Sequence, residues 1–258
     1  MFFAEETRET VSGESARFGM AASVHVCLTA AGSVILDVKR NRYLGLGREQ
    51  TELLADAVVG WPMPSWQRGS SGDRQARLDA LTALCVPLVA DGVLERIVHP
   101  NDARIARTLP DMRGEWISIG DELEVRGRVT LRHVLHFLAA FCWARYSLSL
   151  RPFSVVVEQV RAMKMQGGAG LQGCEIGRLA AMVDVFRQLR PFLFSAEGRC
   201  LLHALSLVRF LSHYELHPDW VIGVTTQPWG AHSWVQWQRY LLDSTPEKVC
   251  AYTPIMMV

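Results

Sequence analysis

The last sixty residues constrain the fold most. A single apolar helical run, GRCLLHALSLVRFLSHY, is followed directly by two stretches of strand character, DWVIGVTTQ and AHSWVQWQRY, and then by the turn-forming LLDSTP. Apolar residues at helical spacing need one buried face, and β-rich segments with a period of two need another, so a helix has to lie against antiparallel strands. That order, helix first and strands afterwards, places the chain in the α+β class.

The rest of the chain divides by composition. Residues 1–21, rich in Glu, Ser and Thr, read as a flexible tail. Residues 22–99 form a first module, in which SVHVCLT and SVILDV are strands joined by a tight turn at Ala30, Ala31 and Gly32, and RYLGLG is a third strand. A helix over TELLADAVV follows, then a Pro/Gly/Ser loop, then a second helix that Pro87 interrupts. Residues 100–125, punctured by Pro110 and Gly114, read as a linker. Residues 126–258 form the second domain, and three helical stretches fill its first half. They are divided by Arg151 with Pro152 and by MQGGAGLQG, whose glycines are costly inside a helix.

Bulk properties remove several functions. With 27 basic and 26 acidic residues and a formal net charge of +1, nothing favours nucleic acid as a partner. Six cysteines are spread along the chain without a CxxC pair, which argues against a disulfide framework and a zinc ribbon and fits a reducing cytoplasm. The start, MFFAEETRETVSGES, lacks the charged and apolar blocks of an export signal. The most apolar stretch, VLHFLAAFCWA, is roughly half the ~20 residues a bilayer span needs, so no transmembrane segment is expected. His133 and His136 lie three apart on a helix, but no nearby acid or thiol completes a ligand set, so no metal site is expected.

One constellation could do chemistry. A thiol attacks carbonyls as thiolate, and a free cysteine has a pKa of ~8.5, so a nucleophilic cysteine needs a helix N-terminus or a cationic neighbour. Cys200 opens the long apolar helix after Gly198 and Arg199. His232, at the start of a strand, could fold back as its base, and Asp243 could orient the imidazole. The backbone N–H of Cys200 and the amide of Gln227 are candidate oxyanion donors, and Trp229 and Trp234 could shape a substrate pocket. The same residues equally suit structural roles, with Cys200 a small buried hydrophobe, His232 a satisfied strand residue and Asp243 a turn former.

The segments GRCLLHAL, WVIGVTTQPWGAHSWVQW and LLDSTP resemble the Cys, His and Asp blocks of the lasso peptide leader peptidases, the B proteins of lasso peptide maturation. The middle block is the most specific. The resemblance implies a papain/transglutaminase-like cysteine peptidase domain whose triad is Cys200, His232 and Asp243, and which removes the leader from a ribosomal precursor peptide. Two features depart from that pattern: Leu201, Leu202 and His203 follow the cysteine where a basic residue or proline is common, and Ser244 replaces a frequent acidic neighbour of Asp243.

The N-terminal module resembles the small winged-helix-like precursor recognition element found with such peptidases. That resemblance implies β-augmentation, in which a leader peptide pairs with an exposed strand edge and packs on a helix. The third strand would be the edge, and Tyr43, Leu44, Leu46, Leu54 and Val58 are the groove candidates, although the same apolar residues would serve as core. The helix TELLADAVV is acidic, which disfavours DNA. The expected partners are the precursor peptide and a lasso macrolactam synthetase. No cofactor is expected to bind the chain directly, and ATP would enter through the synthetase. Two rival readings stay open: a transglutaminase or other acyltransferase using the same triad, and a non-catalytic peptide-binding scaffold.

Overall fold

In a computed structural model the protein is described at residues 17–66, 74–97, 109, 116–122, 125–166, 175–193 and 199–258. The chain divides into two compact units, with the main boundary between Thr108 and Leu109. Residues 167–173 of the glycine-rich MQGGAGLQG segment and most of the tail lie outside the described residues.

The first unit contains the expected meander. Strands β2 (Val24–Thr29), β3 (Gly32–Asp37) and β4 (Arg42–Gly47) pair antiparallel in the order β2-β3-β4, with Thr29 opposite Gly32 across the turn. Gly32 has a φ of 143°, and a Cβ there would lie against the carbonyl oxygen of Leu46, so only glycine fits the turn. Helix α1 (Arg48–Ala57) follows β4, and Gln50 reaches back to the amide of Gly47 at its start. Helix α2 (Arg74–Ala90) runs through Pro87, because a proline in the last turn forfeits one hydrogen bond without ending the helix.

A second sheet was not visible in the sequence. Strand β1 (Arg17–Met20) lies between β5 (Val58–Val59), to which it is parallel, and β6 (Leu94–Ile97), to which it is antiparallel. The stretch read as a tail therefore yields a strand from Arg17 onward. Its partners are distant in sequence and its four residues show no periodicity of their own. The unit has two three-stranded sheets where the sequence reading expects one set of three strands.

The second unit holds a five-stranded sheet in the order β11-β8-β9-β10-β7. Its centre is the hairpin of β8 (Asp219–Thr226) and β9 (Trp229–Trp237), paired from Asp219 opposite Gln236 to Thr226 opposite Trp229. Strand β7 (Ile117–Ser118) joins through β10 (Tyr240–Leu241), and helix α3 (Ile119–Glu122) follows it, so the end of the expected linker belongs to this unit. Strand β11 (Thr253–Met257) contains Pro254, which the sheet tolerates because β11 is an edge strand with an irregularity between Pro254 and Met256.

Four longer helices build the other layer: α4 (Leu131–Leu150), α5 (Phe153–Gln166), α6 (Glu175–Leu189) and α7 (Cys200–Ser212). Thr130 caps α4 by accepting from the amide of His133. Helix α7 is the most buried of them and packs against both α4 and β9. No helix among the described residues is long and apolar enough to cross a membrane.

Leu54 and Val58, two of the groove candidates, are interior: they pack with Ile35, Val93 and Leu94, and Leu44 and Leu46 lean on that cluster. They are needed to close the small core and cannot also line an open surface. Leu54→Ala is therefore expected to cost about 2–5 kcal/mol, the usual range for emptying a buried leucine site, read as a lower urea midpoint.

Candidate functional site

Cys200 is the first residue of α7 and is half-buried, with Arg199 at the N-cap making no side-chain cap. The first turn of a helix leaves its N–H groups without intrahelical partners, and the dipole there favours negative charge. Burial pushes the thiols of Cys27 and Cys85 up to about 12 and about 11. Cys142 and Cys250 are exposed, and Cys174 lies outside the described residues.

One turn after Cys200 comes His203, whose Nδ1 lies 3.3 Å from Asp243 Oδ2. This contact ties the Cys200 end of α7 to the corner that follows β10. Asp243 Oδ1 also accepts from the amide of Val235 at 2.8 Å, while the amide of Leu242 donates to the carbonyl of Val235 at 2.9 Å. A carboxylate oxygen thus takes the place of a backbone carbonyl at the end of the β9–β10 ladder. Arg187 of α6 donates to the carbonyl of Leu242 at 3.1 Å. Burial pulls the Arg187 guanidinium pKa down, and the charges of Asp243, Asp184 and Asp121 act against that shift.

His232 sits on β9 opposite Gly223 and is 7% exposed. Its Nε2 lies 3.2 Å from the hydroxyl of Ser244. The ring lies between Trp234, 6.0 Å away between centroids, and Tyr252, 5.2 Å away. A Cβ on Gly223 would meet the Trp234 ring at 2.7 Å and Tyr252 Cβ at 3.0 Å, so this glycine makes room for the aromatic pair that holds the imidazole.

The remaining sequence candidates are placed differently. Trp234 is fully buried and donates to Gln236 Oε1 at 2.8 Å, so it supports His232 from the core and does not line a pocket. Trp229 is 53% exposed near the hairpin tip, and Gln227 is in the two-residue turn beyond it. Along the strand Gln227 lies five residues before His232, and its amide stays a candidate oxyanion donor. Tyr43 is half-buried on β4 in the other unit. Among the described residues no group of three or more His, Cys, Asp or Glu is placed to hold a metal ion. Sequence reasoning missed His203 and the contact of Ser244 with His232. The i+3 spacing of Cys200 and His203 on one helix was a visible signal for the former.

Chemically, the arrangement offers a thiol at the start of a helix that packs on β9, a buried imidazole on that strand, a hydroxyl against the imidazole, and a carboxylate whose charge reaches it. Burial first, and then the Lys248 ammonium, hold the His232 imidazole down at about 4, with Asp243 pulling the other way. The unfolded imidazole takes its proton near 6.5, so between about 6.5 and about 4 the unfolded chain binds more protons than the folded one. Stability must therefore fall as pH drops through that window. His213, also held at about 4, by burial and then by Arg209 and His136, adds to the same slope. Urea midpoints are expected to decline between pH 7 and pH 4, and His213→Gln is expected to flatten part of that decline.

No curated protein and no solved structure matches the chain. Residues 147–257, from the last turns of α4 through β11, match the family model described as transglutaminase-like superfamily. That superfamily suggests cysteine-protease or acyltransferase-type chemistry, and the matched span contains Cys200, His232, Asp243 and Ser244. The C-terminal part of the chain thus carries a transglutaminase-like superfamily domain at residues 147–257.

Proposed function

We propose that the protein is a cysteine peptidase that removes the leader from a ribosomal precursor peptide in the maturation of a lasso peptide. The observation that carries the chemistry is Cys200 at the start of α7, on the helix end that His203 and Asp243 tie to the strand bearing His232. Cys200 is the nucleophile and His232 the base. Asp243 is the carboxylate of the site.

The reaction balances as an acyl transfer to water. The thiol proton passes to His232, the sulfur bonds the scissile carbonyl carbon, and the oxyanion meets the N–H groups of the first turn of α7. His232 then protonates the departing amine of the core peptide. A water, deprotonated by the same imidazole, releases the leader as a carboxylic acid. His232 is neutral near pH 7, as a general base must be to accept the proton.

The lasso assignment rests on the blocks GRCLLHAL, WVIGVTTQPWGAHSWVQW and LLDSTP. In this reading the first unit holds the leader along β4, which is an edge strand of its sheet and pairs the incoming strand through its backbone groups. Its winged-helix-like role, the macrolactam synthetase as partner, ATP supplied through that partner and a cytoplasmic setting all belong to this proposal. Tethering the leader raises the local concentration of the scissile bond at Cys200.

Intact masses after incubation with a lasso precursor, with and without the synthetase and ATP, test it. Wild type is expected to give leader and core whose masses sum to the precursor plus one water, and Cys200→Ala is expected to lose at least ~1,000-fold in rate, as removal of a covalent nucleophile does. A product formed without added water would make the protein an acyltransferase. Equal cleavage by both proteins would remove Cys200 from the mechanism.

A further inference from the structure

The imidazole and the carboxylate of the candidate site do not touch each other through the atoms that a Cys-His-Asp triad would use. His232 Nε2 faces Ser244 Oγ at 3.2 Å, and both residues are buried, at 7% and 9% exposure. Both oxygens of Asp243 are engaged elsewhere, Oδ1 with the Val235 amide and Oδ2 with His203 Nδ1. We propose that Ser244 is the positioning residue of His232, and that Asp243 holds the β9–β10 corner while contributing only its field. The proposal rests on the reading of Cys200 and His232 as nucleophile and base.

The chemistry follows from the donor and acceptor inventory. With its proton on Nε2, the imidazole donates to Ser244 Oγ, which leaves the Nδ1 lone pair to accept the Cys200 thiol proton. When that proton moves, sulfur becomes thiolate, the ring becomes imidazolium, and the Nε2–H stays on the hydroxyl. The proton on Nδ1 later goes to the leaving amine. A hydroxyl dipole stabilises the imidazolium less than a carboxylate would, so the His232 imidazole rests neutral near pH 7.

Every charged neighbour fits this balance. Lys248 opposes a second positive charge on His232, and Asp243 favours it. The Arg187 guanidinium interacts with the charge of Asp243, and His203 Nδ1 contacts its Oδ2. Tyr252 and Trp234 flank the imidazole as rings.

The test reads the thiol directly and needs no peptide substrate. The full chain is alkylated with iodoacetamide from pH 5 to pH 10, and modification of the Cys200 peptide is followed by mass spectrometry, with the melting temperature recorded for each variant. Ser244→Ala is expected to slow alkylation near pH 7 by about tenfold, on the scale of losing an orienting partner, and Ser244→Thr to keep the rate within about threefold. Ser244→Asp, which puts a carboxylate against Nε2, is expected to move the alkylation profile at least one unit toward lower pH. Asp243→Asn is expected to lower the melting temperature while changing the rate less than Ser244→Ala does. The proposal is overturned if Asp243→Asn moves the profile more than Ser244→Ala, or if Ser244→Asp leaves it in place. If His232→Ala leaves the wild-type profile unchanged, the assignment of His232 as base falls as well, an outcome distinct from failure at Ser244 alone.

Discussion

The second unit depends on one substitution within a hydrogen-bond ladder, a side-chain oxygen standing in for a backbone carbonyl. Val235 exchanges its two backbone bonds with Leu242 and with the carboxylate of Asp243. This lets the chain leave the sheet immediately after β10 without orphaning a buried amide, which would cost about 1–3 kcal/mol. The same carboxylate receives His203 from α7. A single acidic residue thereby fixes the end of the central sheet, the direction of the chain toward Ser244, and the height of the Cys200 helix over β9.

The core around that point is built to the same end. Helix α7 buries eight residues from Leu202 to Leu211, so its first turn cannot slide along the sheet without opening cavities. The buried polar groups of β8 and β9 are paired: Trp220 donates to Ser233 at 2.7 Å, and Trp234 donates to Gln236 at 2.8 Å. Satisfied polar pairs of this kind favour one strand register, and register decides whether His232 faces Tyr252 and Ser244 or the opposite side of the sheet.

The sequence made the long elements legible and left the short ones hidden, for a physical reason. Helix α7, the hairpin of β8 and β9, and the β2-β3-β4 meander carry their own periodicity. Strands β1, β5, β6, β7 and β10 are two to four residues long and exist because distant partners pair with them, which no local pattern records. Strand β11 was obscured by Pro254, acceptable only once its edge position is known. At the site, the residue types and order of Cys200, His232 and Asp243 were readable. Which of two adjacent residues, Asp243 or Ser244, meets the imidazole was not, because successive residues at a strand end point in different directions and spacing cannot choose between them. Leu54 and Val58 read as one apolar helix face, but the helix stops at Ala57 and Val58 pairs with Phe18 as a strand, and an apolar pattern describes a core and a groove equally well.

The central claim, that Cys200 carries the acyl group of a cleaved peptide, is tested most directly by trapping that intermediate. The protein would be mixed with precursor peptide, quenched in acid within the first turnover, digested, and the Cys200 peptide weighed. The account predicts a thioester on Cys200 whose added mass equals the leader fragment less one water, and its disappearance as leader acid accumulates. Release of core peptide with Cys200 unmodified throughout, or an acyl group on another residue, would contradict it.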